Sequence, residues 1–206
     1  ARLLWVKARL DEGMQVNHAV RALQRAVEEN EFAPRIWPAP LAAPYAAGSE
    51  SGEALHRSLQ QRLMRALLQH DVESANTIIG EAHGYCTMEE IILAILPPTF
   101  NAIGAGWERG EIDVATEHLA TNHLRHHLLL CIRLGPPPFD VRPIVLACAP
   151  GELHEGSLLM IGALLRRLRW PVLYLGQTLP LSDLSGLIDD LHPSLVLFVV
   201  MTEAPA

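Results

Sequence analysis

The chain has 206 residues, 50% hydrophobic and 19% charged, with a formal net charge of −7. That is apolar enough to fill a core, which excludes a mainly disordered chain, and no apolar run approaches the roughly 18 residues of a membrane span. The acidity and the 5% aromatic content argue against a surface built to neutralise phosphates or stack bases.

The length suits one or two domains. The first residues lack the basic, apolar, small-residue order of a secretory signal. Cys86, Cys131 and Cys148 are too few and too widely spaced for a disulfide framework or a zinc knuckle, and they suit a reducing compartment. A cytoplasmic protein without a membrane segment is expected.

Residues 1–32 are helical in period, with Gly13 reading as a C-cap between two helices. Residues 33–52 hold Pro34, Pro38, Pro40, Pro44, Gly48 and Gly52, the composition of a linker. From 53 to 134 the pattern predicts four helices packed as an antiparallel bundle. Glu53 to His70 carries Leu55, Leu59, Leu63 and Leu67 at spacing four. Asp71 to Gly84 is short, and Met88 to Gly104 should bend or break at Pro97-Pro98. Asp113 to Leu134 is the longest. It carries His123 and His127 at a spacing a metal pair could use, but with no third ligand evident they read as a polar bundle face.

Gly135-Pro136-Pro137-Pro138 then punctuates the chain, and residues 140–206 change character. Pro143 to Ala149, Val172 to Leu175 and Leu195 to Met201 read as strands, with helices at Ser157 to Arg169 and Ser182 to Leu191 between them. Strand and helix alternating with short loops predicts a parallel, doubly wound sheet, here cut to three strands and expected to be incomplete. The fold class is therefore α plus α/β: a four-helix bundle followed by a Rossmann-like domain.

Open parallel sheets bind ligands beyond the carboxyl ends of their strands. The first strand runs into Pro150-Gly151-Glu152-Leu153-His154-Glu155-Gly156-Ser157, which displays Glu152 and His154 on a loop. Small residues at 151, 156 and 157 would let a ligand approach the backbone. An acid two residues before a His can hold one ring nitrogen and raise the basicity of the other, a device for tuning a metal ligand.

This loop, with Leu158-Leu159-Met160, Tyr174-Leu175-Gly176-Gln177 and Pro180, resembles the cobalamin-binding Rossmann domain. The resemblance implies His154 as the lower axial ligand of cobalt and Glu152 as its partner, with the nucleotide tail in a groove near Gly151, Gly156, Ser157 and Gly176. The family has Gly where this chain has Ser157. Upstream, Trp107 followed ten residues later by Glu117-His118 is similar to the cap of CarH/LitR-type photoreceptor regulators. By that resemblance Trp107, Val114, Glu117 and His118 cover the upper face of adenosylcobalamin. Family members carry a His directly after the Trp, and here that position is Glu108. A carboxylate suits low-spin cobalt less well than imidazole, which leaves water or His118 for the vacated position after light.

Residues 2–20, through Gly13-Met14, look like the last two helices of a MerR-type winged-helix domain. The resemblance as a whole implies a light-sensing transcription regulator, not an enzyme, that forms a homo-oligomer and meets DNA through an N-terminal head not complete in this chain. Two alternatives share the architecture. One is a photosensor that also holds a bilin such as biliverdin between bundle and sheet. The other is a corrinoid carrier for a methyltransferase, a class that shares the loop His but not the cap.

Overall fold

A computed structural model of the chain describes residues 50–200 and the isolated positions Arg9 and Ala22. The expected MerR-like helices of 1–32, nearly all of the linker, and Met201 at the end of the last predicted strand lie outside the described residues.

The bundle opens with α1 (Glu50–Leu68), whose Leu59, Leu63 and Leu67 are fully buried, the stripe its spacing predicts. The helix takes in the last three residues of the expected linker. Next is α2 (Val72–Tyr85), capped by Asp71, which accepts the Ser74 backbone N–H at 3.0 Å and the Ser74 hydroxyl at 2.6 Å. Thr87 and Glu90 then form a reciprocal capping box that starts α3 (Met88–Glu90).

The third predicted helix is one rod with a π-helical turn (Ile91–Ile95) between α3 and α4 (Leu96–Glu108). The expected break falls ahead of the prolines rather than at them. Pro97 and Pro98 stand in the first turn of α4, where missing N–H groups cost least, and the wide turn buries Ile91, Ile92 and Ile95 together. The rod also outlasts its predicted end at Gly104. Gly106 lies within it because a Cβ there would sit 2.5 Å from the Ile112 Cδ1, and its carbonyl accepts the N–H groups of Glu111 and Ile112. That close approach folds the chain back into α5 (Val114–Arg133), capped by Asp113 through the Thr116 N–H at 2.9 Å.

Both cap carboxyls sit below the usual carboxylate range. The Ser74 hydroxyl is the main cause at Asp71, and the Thr116 backbone N–H at Asp113. A depressed folded value favours the folded state above the unfolded value, and that contribution is lost as pH falls through the folded one. The urea midpoint should therefore drop between pH 7 and pH values below about 4. A variant with Asp71→Asn and Asp113→Asn, which keeps acceptors at both caps but cannot titrate, should lose less over the same interval.

Three strands follow: β1 (Ile144–Cys148), β2 (Val172–Gly176) and β3 (Leu195–Val199), with α6 (Gly156–Arg167) and α7 (Leu181–Leu191) as crossovers. The sheet is parallel in the order β2-β1-β3, and Leu146 stands opposite Tyr174 on one side and Leu197 on the other. Right-handed crossovers in that order place α6 and α7 on opposite faces, with the switch point between β1 and β3. β1 is wholly buried, as its unbroken apolar run requires. The fold class is the α plus α/β arrangement the pattern predicts.

One helix joins the halves. α6 packs on all three strands and lies along α5. Leu159 and Ala163 face the bundle core while Leu158 faces the sheet, and a Cβ on Gly162 would lie 2.9 Å from both Ile132 and Leu146. At its C-terminal end Arg166 is buried. Its guanidinium donates to the carbonyls of Ile132 (3.0 Å), Trp170 (3.2 Å), Gly135 (3.3 Å) and Pro136 (3.1 Å). Arg169 donates to the Pro137 carbonyl at 2.9 Å and lies over the Phe139 ring. The proline-rich connection is thus fastened to α6 along its length.

Candidate functional site

The loop after β1 is shaped by its own sequence. Gly151 takes φ +81°, which favours glycine, and lets the Glu152 N–H reach back to the Ala149 carbonyl at 3.0 Å. Glu152 turns inward and is buried. Its Oε1 accepts the His154 backbone N–H and the His154 Nδ1–H, both at 2.7 Å. Donation from Nδ1 leaves the lone pair on Nε2. The His154 side chain is 73% exposed while that of Glu152 is 7% exposed, so the ring is held from beneath and open above.

A second loop braces the first. Gln177 donates to the Leu153 carbonyl at 2.6 Å, and the Thr178 N–H reaches the Glu152 carbonyl at 3.2 Å. Gly176, at φ +94°, makes the corner from which these residues turn. A Cβ on Gly151 or Gly176 would meet nothing within 4 Å, so backbone conformation, and not crowding in this structure, is what calls for glycine there. The nearby Cys148 thiol is pushed up by burial and then by Glu155 and Glu152, so it stays protonated.

Gly156 stands where the loop passes into the next helix. It starts α6, one residue earlier than predicted, and a Cβ there would lie 3.7 Å from the Phe100 ring of α4. That is an ordinary van der Waals separation, so the bundle bounds the space beside Gly156 on this side. Ser157 beside it is exposed. Glu155, buried between them and His154, pairs with Arg125 of α5, and its second oxygen is buried with no hydrogen-bond partner. Arg125, Glu155 and Phe100 carry no sequence motif, and the ion pair spans 30 positions.

These contacts fix the direction of α5. Arg125 meets Glu155 before α6 begins, and Ile132 meets Gly162 and Arg166 further along. The two helices therefore run in the same direction, and the part of α5 from Val114 to Arg125 extends past the start of α6. Eleven residues at 1.5 Å each make that overhang about 16 Å. It lies at the carboxyl end of the sheet, where His154 sits.

The predicted cap residues are on this overhang or the turn before it. Trp107 is 52% exposed, seven residues and so two turns beyond Phe100 on the same face of α4. Val114 is exposed at the first turn of α5. Glu117 accepts the Thr121 hydroxyl at 2.7 Å and pairs with Nδ1 of His118, whose ring is largely exposed. The Glu117-His118 pair thus repeats the Glu152–His154 device: a carboxylate on Nδ1 with Nε2 left for a ligand. An exposed Trp and Val at one end, an outward imidazole lone pair at the other, and a buried carboxylate oxygen without a partner beside it suit a large flat ligand with a metal at its centre.

Comparison with known proteins finds relatives for the helical segment and for most of the chain. Residues 59–130 match the family model described as the B12 binding domain. The chain is 28% identical over 198 residues to the HTH-type transcriptional repressor CarH of Myxococcus xanthus, covering 95% of this chain and 62% of that protein. It is 30% identical over 149 residues to the HTH-type transcriptional repressor CarA of the same organism, covering 71% and 50%. The chain thus spans between half and two thirds of the length of these relatives. A looser likeness, at TM-score 0.39 and 14% identity, is to the methanol:cobalamin methyltransferase complex MtaBC from Methanosarcina barkeri, covering 84% of this chain and 67% of that one.

Proposed function

We propose that this chain, a homologue of the CarH and CarA repressors with a B12-binding helical domain, is a cobalamin-dependent light sensor that regulates transcription rather than an enzyme. The observation that carries the reading is the His154 ring, fixed through Nδ1 by buried Glu152 with Nε2 turned outward beside the α5 overhang.

In this reading His154 would ligate the cobalt of a bound cobalamin, and Glu152 would hold its tautomer and orientation. Gly151 and Gly176 shape the two loops beside which the nucleotide tail lies. Trp107 and Val114 shield the upper face, and Glu117 accepts hydrogen bonds from the adenosyl group. When bound, adenosylcobalamin supplies a cobalt–carbon bond that light breaks. Loss of the upper group strips Trp107 and Glu117 of contacts on one side, which biases the bundle against the sheet as a ligand-driven two-state switch. In place of the family's extra imidazole, water or His118, whose Nε2 is not engaged by Glu117, takes the vacated position. The homo-oligomer, the cytoplasmic setting and DNA contact through an N-terminal head belong to the same proposal.

The test is the visible spectrum and sedimentation of the purified protein with adenosylcobalamin, in the dark and after illumination. Both should change on illumination. An unchanged spectrum overturns the photosensor reading, and methyl transfer from bound methylcobalamin to a thiol would replace it with a carrier. An added red band with biliverdin would bring in the bilin.

A further inference from the structure

A second group of donor atoms lies in the bundle, apart from the loop that carries His154. His83 ends α2, and His127 and Cys131 lie one turn apart on α5. The Nε2 atoms of His83 and His127 face each other at 3.3 Å, and the Cys131 Sγ is 3.7 Å from the His127 Nε2. All three donor atoms lie within 4.8 Å of one another. The i, i+4 pair the sequence offers, His123 with His127, is not the one that converges. The third ligand that was not evident along α5 comes from α2, and the second is a thiol.

Two of the three donor separations can be set against tetrahedral geometry. Four-coordinate zinc with Zn–N of about 2.05 Å and Zn–S of about 2.3 Å sets tetrahedral neighbours at about 3.3 Å for N···N and about 3.6 Å for N···S. The observed separations match both. A plain hydrogen bond between the two imidazoles would occupy one proton and leave the thiol with only a long, weak contact to the same nitrogen. The rings are tilted by 51° with centroids 5.2 Å apart, so they aim their nitrogens inward and do not stack.

We infer that His83, His127 and Cys131 form a zinc-type metal site that ties α2 to α5, with a fourth position open to water. Two imidazoles and one thiolate are borderline-to-soft donors that select zinc or a similar late first-row ion over magnesium or calcium. Burial holds His127 down to about 4, with His83 and His123 adding to it, so its ring is neutral and ready to ligate near pH 7. Burial also keeps the Cys131 thiol protonated, so one proton passes to solvent as the metal–sulfur bond forms. His83 is exposed, which gives the ion a path in. The inference stands independently of cobalamin binding.

The experiment uses the full chain, stripped of metal and without cobalamin. After dialysis against zinc in the presence of a competing chelator, the parent should retain one zinc per chain. Cys131→Ser and His83→Gln, at half-buried and exposed positions, should bind at least ~10-fold more weakly. Cadmium should give the parent a thiolate charge-transfer band in the ultraviolet that Cys131→Ser lacks. His154→Ala should bind zinc like the parent, which keeps this site distinct from the proposed cobalt site. Circular dichroism confirms that each variant is folded. No zinc on the parent, or equal binding by the parent and both variants, overturns the site.

Discussion

His154→Ala should abolish the imidazole signature in the visible spectrum of bound cobalamin and weaken binding by at least ~10-fold. The ring is largely exposed and, among the described residues, its one hydrogen bond is to Glu152, so removing it costs the fold little. What is lost is a donor already set in one tautomer and one direction, and no other imidazole lies on that loop. Glu152→Gln is the graded partner. A Gln carbonyl still accepts the His154 N–H and Nδ1–H, but without the charge that raises the basicity of Nε2. Its affinity should fall between those of the parent and His154→Ala. Equilibrium dialysis with adenosylcobalamin and a spectrum of each complex measure both effects. An unchanged spectrum in His154→Ala would remove the axial assignment.

Arg166→Met should destabilise the protein by about 2–4 kcal/mol, read as a lower urea midpoint with unchanged slope. The methionine fills much of the aliphatic volume, but the carbonyls of Ile132, Gly135, Pro136 and Trp170 lose the guanidinium that serves all four. Ile132 lies in the last turn of α5, whose carbonyls have no partner within the helix. Buried acceptors without donors carry the full desolvation cost. Arg166→Lys should recover only part of the loss, because one ammonium cannot span four carbonyls on three segments. A destabilisation under about 0.5 kcal/mol in Arg166→Met would show that solvent reaches those carbonyls unaided.

Elements whose cause is local were legible from the residues. The Leu59–Leu63–Leu67 stripe, the helix starts at Asp71 and Asp113, and the apolar run of β1 all follow from patterns within one segment. The Glu152–His154 pair was legible for the same reason, since its partners are two residues apart. What escaped is non-local. The π-helical turn depends on three isoleucines finding the core together, and Gly106 is explained only by Ile112 folding back onto it. The Arg125–Glu155 pair and the His83–His127–Cys131 cluster join positions 30 and 44 residues apart, a distance at which sequence spacing carries no signal.

The fastening of α5 is uneven, and that has a mechanical result. Near Ile132 it is held by a buried guanidinium and close packing on α6, whereas at the start of the overhang its tie to the β1 loop is the Arg125–Glu155 pair. Together with the bundle helices that pack on it at Thr116, Ala120 and Leu124, such a rod has its fulcrum at the firm end. From Ile132 to Val114 it is about 27 Å long, so a tilt of about 10° carries the tip about 5 Å while the fulcrum scarcely stirs.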